Sequence, residues 1–422
     1  MSGRDDLKLT RLPSGLTVLS DRMTGVETVS LGVWVNAGTR HETADVNGVS
    51  HLLEHMAFKG TERRSAMAIA EEIEAVGGQI NAYTSREHTA YYAKVLKEDK
   101  ELAIDIIADI LQHSALDPDE LAREEAVVAQ EIAQAIDTPD DIIFDHVQST
   151  AYPGQAVGRP VLGTAEIVRA MPRNTVASYM RAHYGASRMV LTAAGAIEHE
   201  ELLDAAGRHF AALPDVAPPV SEPARYVGGD FRESRDIEQV HLVLAFDGVS
   251  FRDEDFYAAS VLSTLLGGGM SSRLFQEVRE RRGLAYSVYS FTSSYEDGGL
   301  FEIYAGTGES EAAEVIPVLC EEVMKVTAKV SAEEVARARA QIRAGVLMSL
   351  ESSGARCEQA ARQTLALDRL VPTDEVIERI DAVDEAAVIR VARRLFQGTP
   401  TFAAIGPQGG LDSFDAIRAR LG

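Results

Sequence analysis

The residues of this chain best suited to chemistry are two histidines and a glutamate in the run His51-Leu52-Leu53-Glu54-His55. They lie in Val49–Phe58, whose apolar spacing predicts the opening turns of a helix. Residues four apart on a helix share a face about one turn from each other, so His51 and His55 can present two imidazoles to one metal ion. Glu54 projects from nearly the same face, within reach of a water on that ion. The chemistry this predicts is metal-assisted: neutral imidazoles hold an ion such as zinc, a carboxylate handles a proton, and one coordination position stays open. The plainer reading is a pair of helix-face histidines that only satisfy local hydrogen bonds.

A zinc site of this kind takes three protein ligands, and the third has to come from another helix. The segment Asp119–Ile136 is strongly helical and carries Glu124 and Glu131 seven residues apart, on one face. Apolar and small neighbours, Ala126-Val-Val-Ala129 and Ile132-Ala133, suggest that this face packs inward. Two solvated helix carboxylates are the alternative. His88, His146 and His241 each lack a second ligand at helical spacing and read as surface or supporting residues.

The rest of the chain has to position these groups. Its 422 residues are enough for two or three domains, and 45% apolar with 25% charged content is that of a globular protein. Lys+Arg 41 against Asp+Glu 65 gives a net charge of −24, which argues against nucleic acid and anionic membranes and suits a cationic ligand. Two cysteines, Cys320 and Cys357, can build neither a disulfide framework nor a thiolate zinc site. No apolar run approaches the roughly 20 residues that span a bilayer. Met1–Lys8 has neither a signal core nor transit-peptide character, so a cytoplasmic location is expected.

A Pro-rich segment, Leu213–Arg225, interrupts the pattern near the midpoint. The expected division is 1–212, a linker at 213–230, and 231–422. The two flanks echo each other: strand, helix, glycine break, two strands, helix. Glu120-Leu-Ala-Arg123 in the first answers Glu334-Val-Ala-Arg337 in the second, each opening a long helix. Alternating strands mixed with helices predict an α+β class, two homologous domains, each a mainly antiparallel sheet with helices packed on one face. The helix at Ser352–Leu367, with Cys357, is expected in the core of the second domain. The duplication is lopsided, because the Leu265–Gly269 region has no histidine where the first half has three site residues. Gly267–Gly269 lacks G-x-x-x-x-G-K-[ST] and reads as a turn.

Taken with Glu131, the H-x-x-E-H run resembles the inverzincin motif of the M16 (pitrilysin) zinc metallopeptidases. The resemblance covers essentially the whole chain. It extends to Met56–Thr61, Asn81–Glu87 with Tyr91–Lys94, Gly158–Gly163 and Gly268–Leu274. Within the family the chain looks most like the β subunit of the mitochondrial processing peptidase and its bacterial relatives.

The resemblance implies that His51, His55 and Glu131 bind one Zn2+, that Glu54 is the general base, and that Glu124 supports the site. Zinc lowers the pKa of water toward about 7, and Glu54 would take up that proton and return it to the leaving amine. Asn81, Ala82 and Tyr83 would belong to an edge strand that adds the substrate backbone to the sheet. Arg279 and Tyr286 match an Arg/Tyr pair that positions the substrate and polarises its carbonyl, although Arg281 and Arg282 compete for the part. Asp141 and Asp145 match acidic positions that hold an arginine before the scissile bond; Pro139-Asp140-Asp141 also reads as an ordinary helix start.

Family members of this length close two chains around a chamber. A homodimer is therefore expected, or a heterodimer with a related subunit. The expected function is a zinc endopeptidase acting on extended or presequence-like peptides, with a preference for basic ones. Two alternatives are a non-catalytic scaffold subunit and a general oligopeptide-degrading peptidase.

Overall fold

The computed structural model describes residues 7–217 and 221–422. Residues 1–6, read above for a targeting segment, and 218–220 of the expected linker lie outside the described residues. The chain forms two compact units.

In the first unit a six-stranded sheet is built from β1 (Leu7–Arg11), β2 (Thr17–Arg22), β3 (Thr28–Val35), β4 (Gln79–Thr84), β5 (Thr89–Leu96) and β6 (Met189–Gly195), in the order β1-β2-β6-β3-β5-β4. All pairings are antiparallel except β2 with β6. In the second, β7 (Gly229–Glu233), β8 (Gln239–Asp247), β9 (Ala285–Ser294), β10 (Gly299–Gly308) and β11 (Thr401–Ile405) follow the order β7-β11-β8-β10-β9, with only β7 and β11 parallel. The second sheet thus repeats the run β2-β6-β3-β5-β4 of the first, strand for strand and direction for direction. The class is α+β, and the repeat seen in the sequence is a repeat of sheet topology.

Each sheet is covered on both faces. One face of the first carries the main core, where Val29, Leu31, Val33, Tyr91, Ala93 and Leu191 meet helices that include Lys100–Gln112 and His199–His209. On the other face, Leu19, Trp34, Val190 and Ala194 pack on Cys357, Ala360 and Ala361 of helix Ser353–Leu367. That helix therefore belongs to the first unit, not to the core of the second. The reciprocal holds in the second unit, where helix Pro139–Ala151 from the first half of the chain covers Val243, Ala245, Ala403 and Ile405 with Ile143 and Val147. The units accordingly comprise 1–134, 159–222 and 348–372, and 135–158, 223–347 and 373–422. Their boundary at 222/223 falls inside the expected linker, but the two halves of the chain have exchanged a helix.

This double cover explains strands such as β3, buried along nearly its whole length. A strand shielded on both faces has no polar side to present. Burial also pushes the Cys357 thiol up to about 12, which leaves it an inert core group.

Candidate metal centre

The motif helix, Val49–Ala57, buries Val49, Leu52, Leu53 and Met56 in the main core of the first unit, which turns His51, Glu54 and His55 to its other side. The two imidazoles meet edge to face with centroids 4.7 Å apart. Glu131 arrives on helix Pro118–Ile136, which is anchored by Leu121, Val128 and Ile132. Its Oε2 stands 3.7 Å from His51 Nε2 and 3.5 Å from His55 Nε2. Ligand atoms about 2.0 Å from a tetrahedral ion stand roughly 3.3 Å from one another. The observed separations are close to that edge length. These three residues form the only such group of possible metal ligands among the described residues. Two imidazoles and a carboxylate are a donor set that fits zinc.

The electrostatics suit ligation. Burial, with His55 beside it, pulls the His51 imidazole down to about 4, so it is neutral at pH 7 with a lone pair to give. Glu124 stands behind His55. Its Oε2 accepts from His55 Nδ1 at 2.9 Å, and its Oε1 accepts from Lys59 Nζ at 2.6 Å. Burial pushes the Glu124 carboxyl up, but the hydrogen bonds from Lys59 and His55 outweigh it and hold the group below its ordinary value. A carboxylate can only accept, so His55 Nδ1 carries the proton and Nε2 is left free on the Glu131 side. His51 Nδ1, by contrast, is buried without a hydrogen bond.

Glu54 accepts from Thr84 Oγ1 at 2.6 Å. Burial pushes its carboxyl above the ordinary range; the Thr84 bond and His55 pull it back, while Glu131 adds to the rise. A carboxyl raised toward neutrality beside a metal site is suited to proton uptake.

Thr84 ends β4, which lies at the sheet edge and pairs only with β5. Side chains alternate along a strand. Ile80 and Ala82 pack on the main core, and Thr84 on the same side meets Glu54. Asn81 and Tyr83 take the opposite face. The Asn81 Oδ1 accepts from the Ala82 N–H at 2.8 Å. The Tyr83 hydroxyl accepts from Trp34 Nε1 at 3.3 Å, donates to Glu358 Oε1 at 3.2 Å and lies 3.1 Å from His88 Nε2. Tyr83 therefore ties the edge strand to the exchanged helix.

Arg279 and Tyr286 come together in the second unit. Arg279 lies within a π-helical turn, Phe275–Arg281, and Tyr286 lies on β9, the edge strand equivalent to β4. The guanidinium stacks 4.5 Å from the centroid of the Tyr286 ring and donates to the Tyr286 carbonyl at 3.2 Å. Tyr286 is 76% exposed. Arg281 and Arg282 instead face Glu277. Asp141 and Asp145 lie one turn apart on helix Pro139–Ala151 of the second unit. Burial, then the charges of Asp145 and Asp140, push the Asp141 carboxyl up, and a cation would relieve that repulsion. His146 stacks on Phe231 at 3.8 Å and His241 Nδ1 meets the Tyr304 hydroxyl at 2.8 Å.

Lys59, Thr84 and Glu358 escaped the sequence reading. Lys59 lies just past the C-terminal end of the motif helix, where helical spacing no longer says which way a side chain points. Thr84 and Glu358 act across long sequence separations, and no local pattern signals them.

Residues 17–165 match the family model described as Insulinase (Peptidase family M16), and residues 170–342 match one described as Peptidase M16 inactive domain. The chain is 38% identical over 405 residues to an uncharacterised zinc protease of Rickettsia felis, covering 96% of this chain and 98% of that protein. It belongs to peptidase family M16. An uncharacterised zinc protease of Bacillus subtilis is 37% identical over 402 residues, with 95% and 98% covered. The mitochondrial-processing peptidase subunit beta of Homo sapiens is 36% identical over 430 residues, with 99% and 88% covered. The crystal structure of a protease from Helicobacter pylori shares the M16 fold, with a TM-score of 0.87 at 22% identity over 95% of this chain and 99% of that one. The match to an inactive domain agrees with the lopsided repeat: the His-His-Glu cluster lies wholly in the segment matched as Insulinase.

Among the described residues no helix is long and apolar enough to cross a membrane.

Proposed function

We propose that this M16 chain is a zinc-dependent endopeptidase that cuts extended peptides. The observation that carries the reading is the approach of His51, His55 and Glu131 ligand atoms to within 4.8 Å of one another, with Glu54 beside them. A zinc ion held there would supply Lewis acidity, polarising a carbonyl and making nearby water acidic, with a pKa of about 7.

The chain's own groups do the rest. Glu124 holds the His55 ring in the tautomer and orientation that ligation needs. Glu54 takes up the proton of the attacking water and delivers it to the leaving amine, a role to which its raised proton affinity is suited. The open edge of β4 takes the peptide backbone as an added strand, so length and extension are selected before sequence. Because Ala82 and Thr84 face the motif helix, a strand added there runs beside Glu54. Tyr83 holds β4 in place from the other face, on which Asn81 also lies.

Arg279 and Tyr286 serve the substrate carbonyl, the guanidinium fixing the ring and the exposed hydroxyl donating to the oxyanion. Asp141 and Asp145 receive a basic side chain, favoured by their mutual repulsion. Two copies of the chain, or one copy and a related subunit, enclose the substrate; relatives named as a subunit support this part. Size-exclusion chromatography with light scattering would return a dimer mass, and a monomer that is fully active would refute the pairing.

The reading is tested by peptide cleavage with purified protein that has been stripped by chelator and reloaded with zinc. Cleavage is lost on stripping and returns with zinc. Cleavage that persists in fully stripped protein would overturn it.

A further inference from the structure

His51 is the third residue of the motif helix, so it sits among that helix's unsatisfied N–H groups, at the positive end of its dipole. This is the least favourable end for a cation. The residue before the helix, Gly48, has φ +97° and no side chain with which to cap it. The cap comes instead from Glu42. Its Oε2 accepts from the Gly48 N–H at 2.8 Å and its Oε1 from the Ser50 N–H at 2.8 Å. Asn47 Nδ2 adds a third hydrogen bond at 2.9 Å. Glu42 is 4% exposed, and no other carboxylate bonds to this helix terminus among the described residues.

The anchor is itself braced. Arg159 donates to the Glu42 carbonyl, and Asn47 Nδ2 also reaches the Pro160 carbonyl at 3.1 Å. A Cβ on Gly48 would stand 2.8 Å from the Leu162 carbonyl, and one on Gly163 would stand 2.4 Å from that of Asn47. The Arg159–Gly163 stretch, conspicuous in the sequence and given no role above, is therefore the wall against which this helix entry is pressed. Ser50 Oγ continues the network, donating to the Tyr179 hydroxyl at 2.8 Å, which donates to the Gly38 carbonyl at 3.2 Å.

We propose that Glu42 is a positioning residue for the metal centre. Its buried carboxylate fixes the first turn of the motif helix and offsets the positive helix end beside His51, so that His51, His55 and Glu131 can hold zinc tightly. The proposal rests on the zinc-site reading given above.

The test is zinc affinity of the purified full chain, measured by competition with a chromophoric chelator. Glu42→Gln keeps the shape but turns one of the two acceptor oxygens into an amide that faces the Gly48 or Ser50 N–H. Glu42→Asp keeps the charge but withdraws it by one methylene, too short to span both Gly48 and Ser50. Each variant binds zinc at least about tenfold more weakly than wild type, the size of effect typical of groups that support metal ligands. Ser65→Ala is the control. It removes a cap of the same kind, Ser65 Oγ to the Ala68 N–H at 3.1 Å, from helix Ala66–Ala75, which carries no ligand. That variant melts earlier and binds zinc as wild type does.

Wild-type zinc affinity in either folded Glu42 variant overturns the proposal, as does an equal loss in Ser65→Ala. If only Glu42→Asp folds, it decides alone; if neither folds, Asn47→Ala, which removes one donor to the carboxylate, decides by the same criterion. A wild-type chain that binds no zinc sinks the peptidase reading and this proposal with it. Normal wild-type binding with unchanged Glu42→Gln sinks this proposal alone.

Discussion

Glu124→Ala should separate metal binding from folding. Both oxygens of Glu124 are engaged, one by His55 Nδ1 at 2.9 Å and one by Lys59 Nζ at 2.6 Å, and the side chain is only 6% exposed. Truncation leaves two donors to be re-satisfied. Lys59 is 31% exposed and can turn to water at little cost. The His55 N–H is more enclosed, and a buried donor left unpaired costs about 1–3 kcal/mol. The ring can recover part of that by rotating, but rotation carries Nε2 away from the Glu131 carboxylate. A supporting partner of this kind is worth about 10–100-fold in metal affinity, or roughly 1.4–2.7 kcal/mol. Zinc competition titrations should therefore show a Kd raised by that factor, with far-UV circular dichroism unchanged. Glu124→Gln should fall between, since one amide oxygen still accepts while the amide nitrogen faces a donor. Zinc affinity in Glu124→Ala equal to wild type would refute the view that Glu124 orients His55.

Three further outcomes are expected. Tyr286→Phe retains the ring on which Arg279 stacks and loses only the hydroxyl, so kcat on an extended peptide should fall about 10²–10³-fold, with a smaller change in KM; an unchanged kcat would remove Tyr286 from the carbonyl. Peptides with Arg two residues before the cleaved bond should be cut faster than Ala counterparts, and Asp141→Asn with Asp145→Asn should abolish the difference; equal rates with the wild-type enzyme would refute the specificity role. The hydrogen bond from Arg394, at 2.6 Å, holds the Asp253 carboxyl below its ordinary value against the effect of burial. With its folded pKa below its unfolded value of about 3.9, the unfolded chain takes the proton first, so this stabilisation is complete above about pH 4 and lost as pH falls through the folded pKa. Urea titrations from pH 6 to pH 3 should show a shallower loss of stability in Asp253→Asn, and parallel profiles would contradict that linkage.

The parts of the site that were legible in the sequence are those set by local geometry. His51 and His55 are one helical turn apart, and Glu124 and Glu131 are two, so period alone put each pair on one face. That β4 is an edge strand came from the family resemblance, because local sequence alone left an ordinary paired strand open. What periodicity cannot carry is the address of an element. Helix Ser353–Leu367 has an apolar face of small residues, Cys357, Ala360 and Ala361, which fits a sheet but does not say which sheet. Its exchange with Pro139–Ala151 is visible only in three dimensions. β6 and β11 are buried along their whole length because both their faces are covered, which erases the alternation that signals a strand. The side on which Tyr83 lies was available from alternation with Ala82, whereas its bond to Glu358 spans most of the chain.

The most direct measurement is made on Glu54→Gln, which keeps the volume and the Thr84 hydrogen bond of Glu54 but can no longer take up a proton. Zinc content and peptide cleavage are read on the same purified sample. The account predicts one zinc per chain, as in wild type, with cleavage reduced to background. A variant that holds zinc and cuts peptide at the wild-type rate would contradict it.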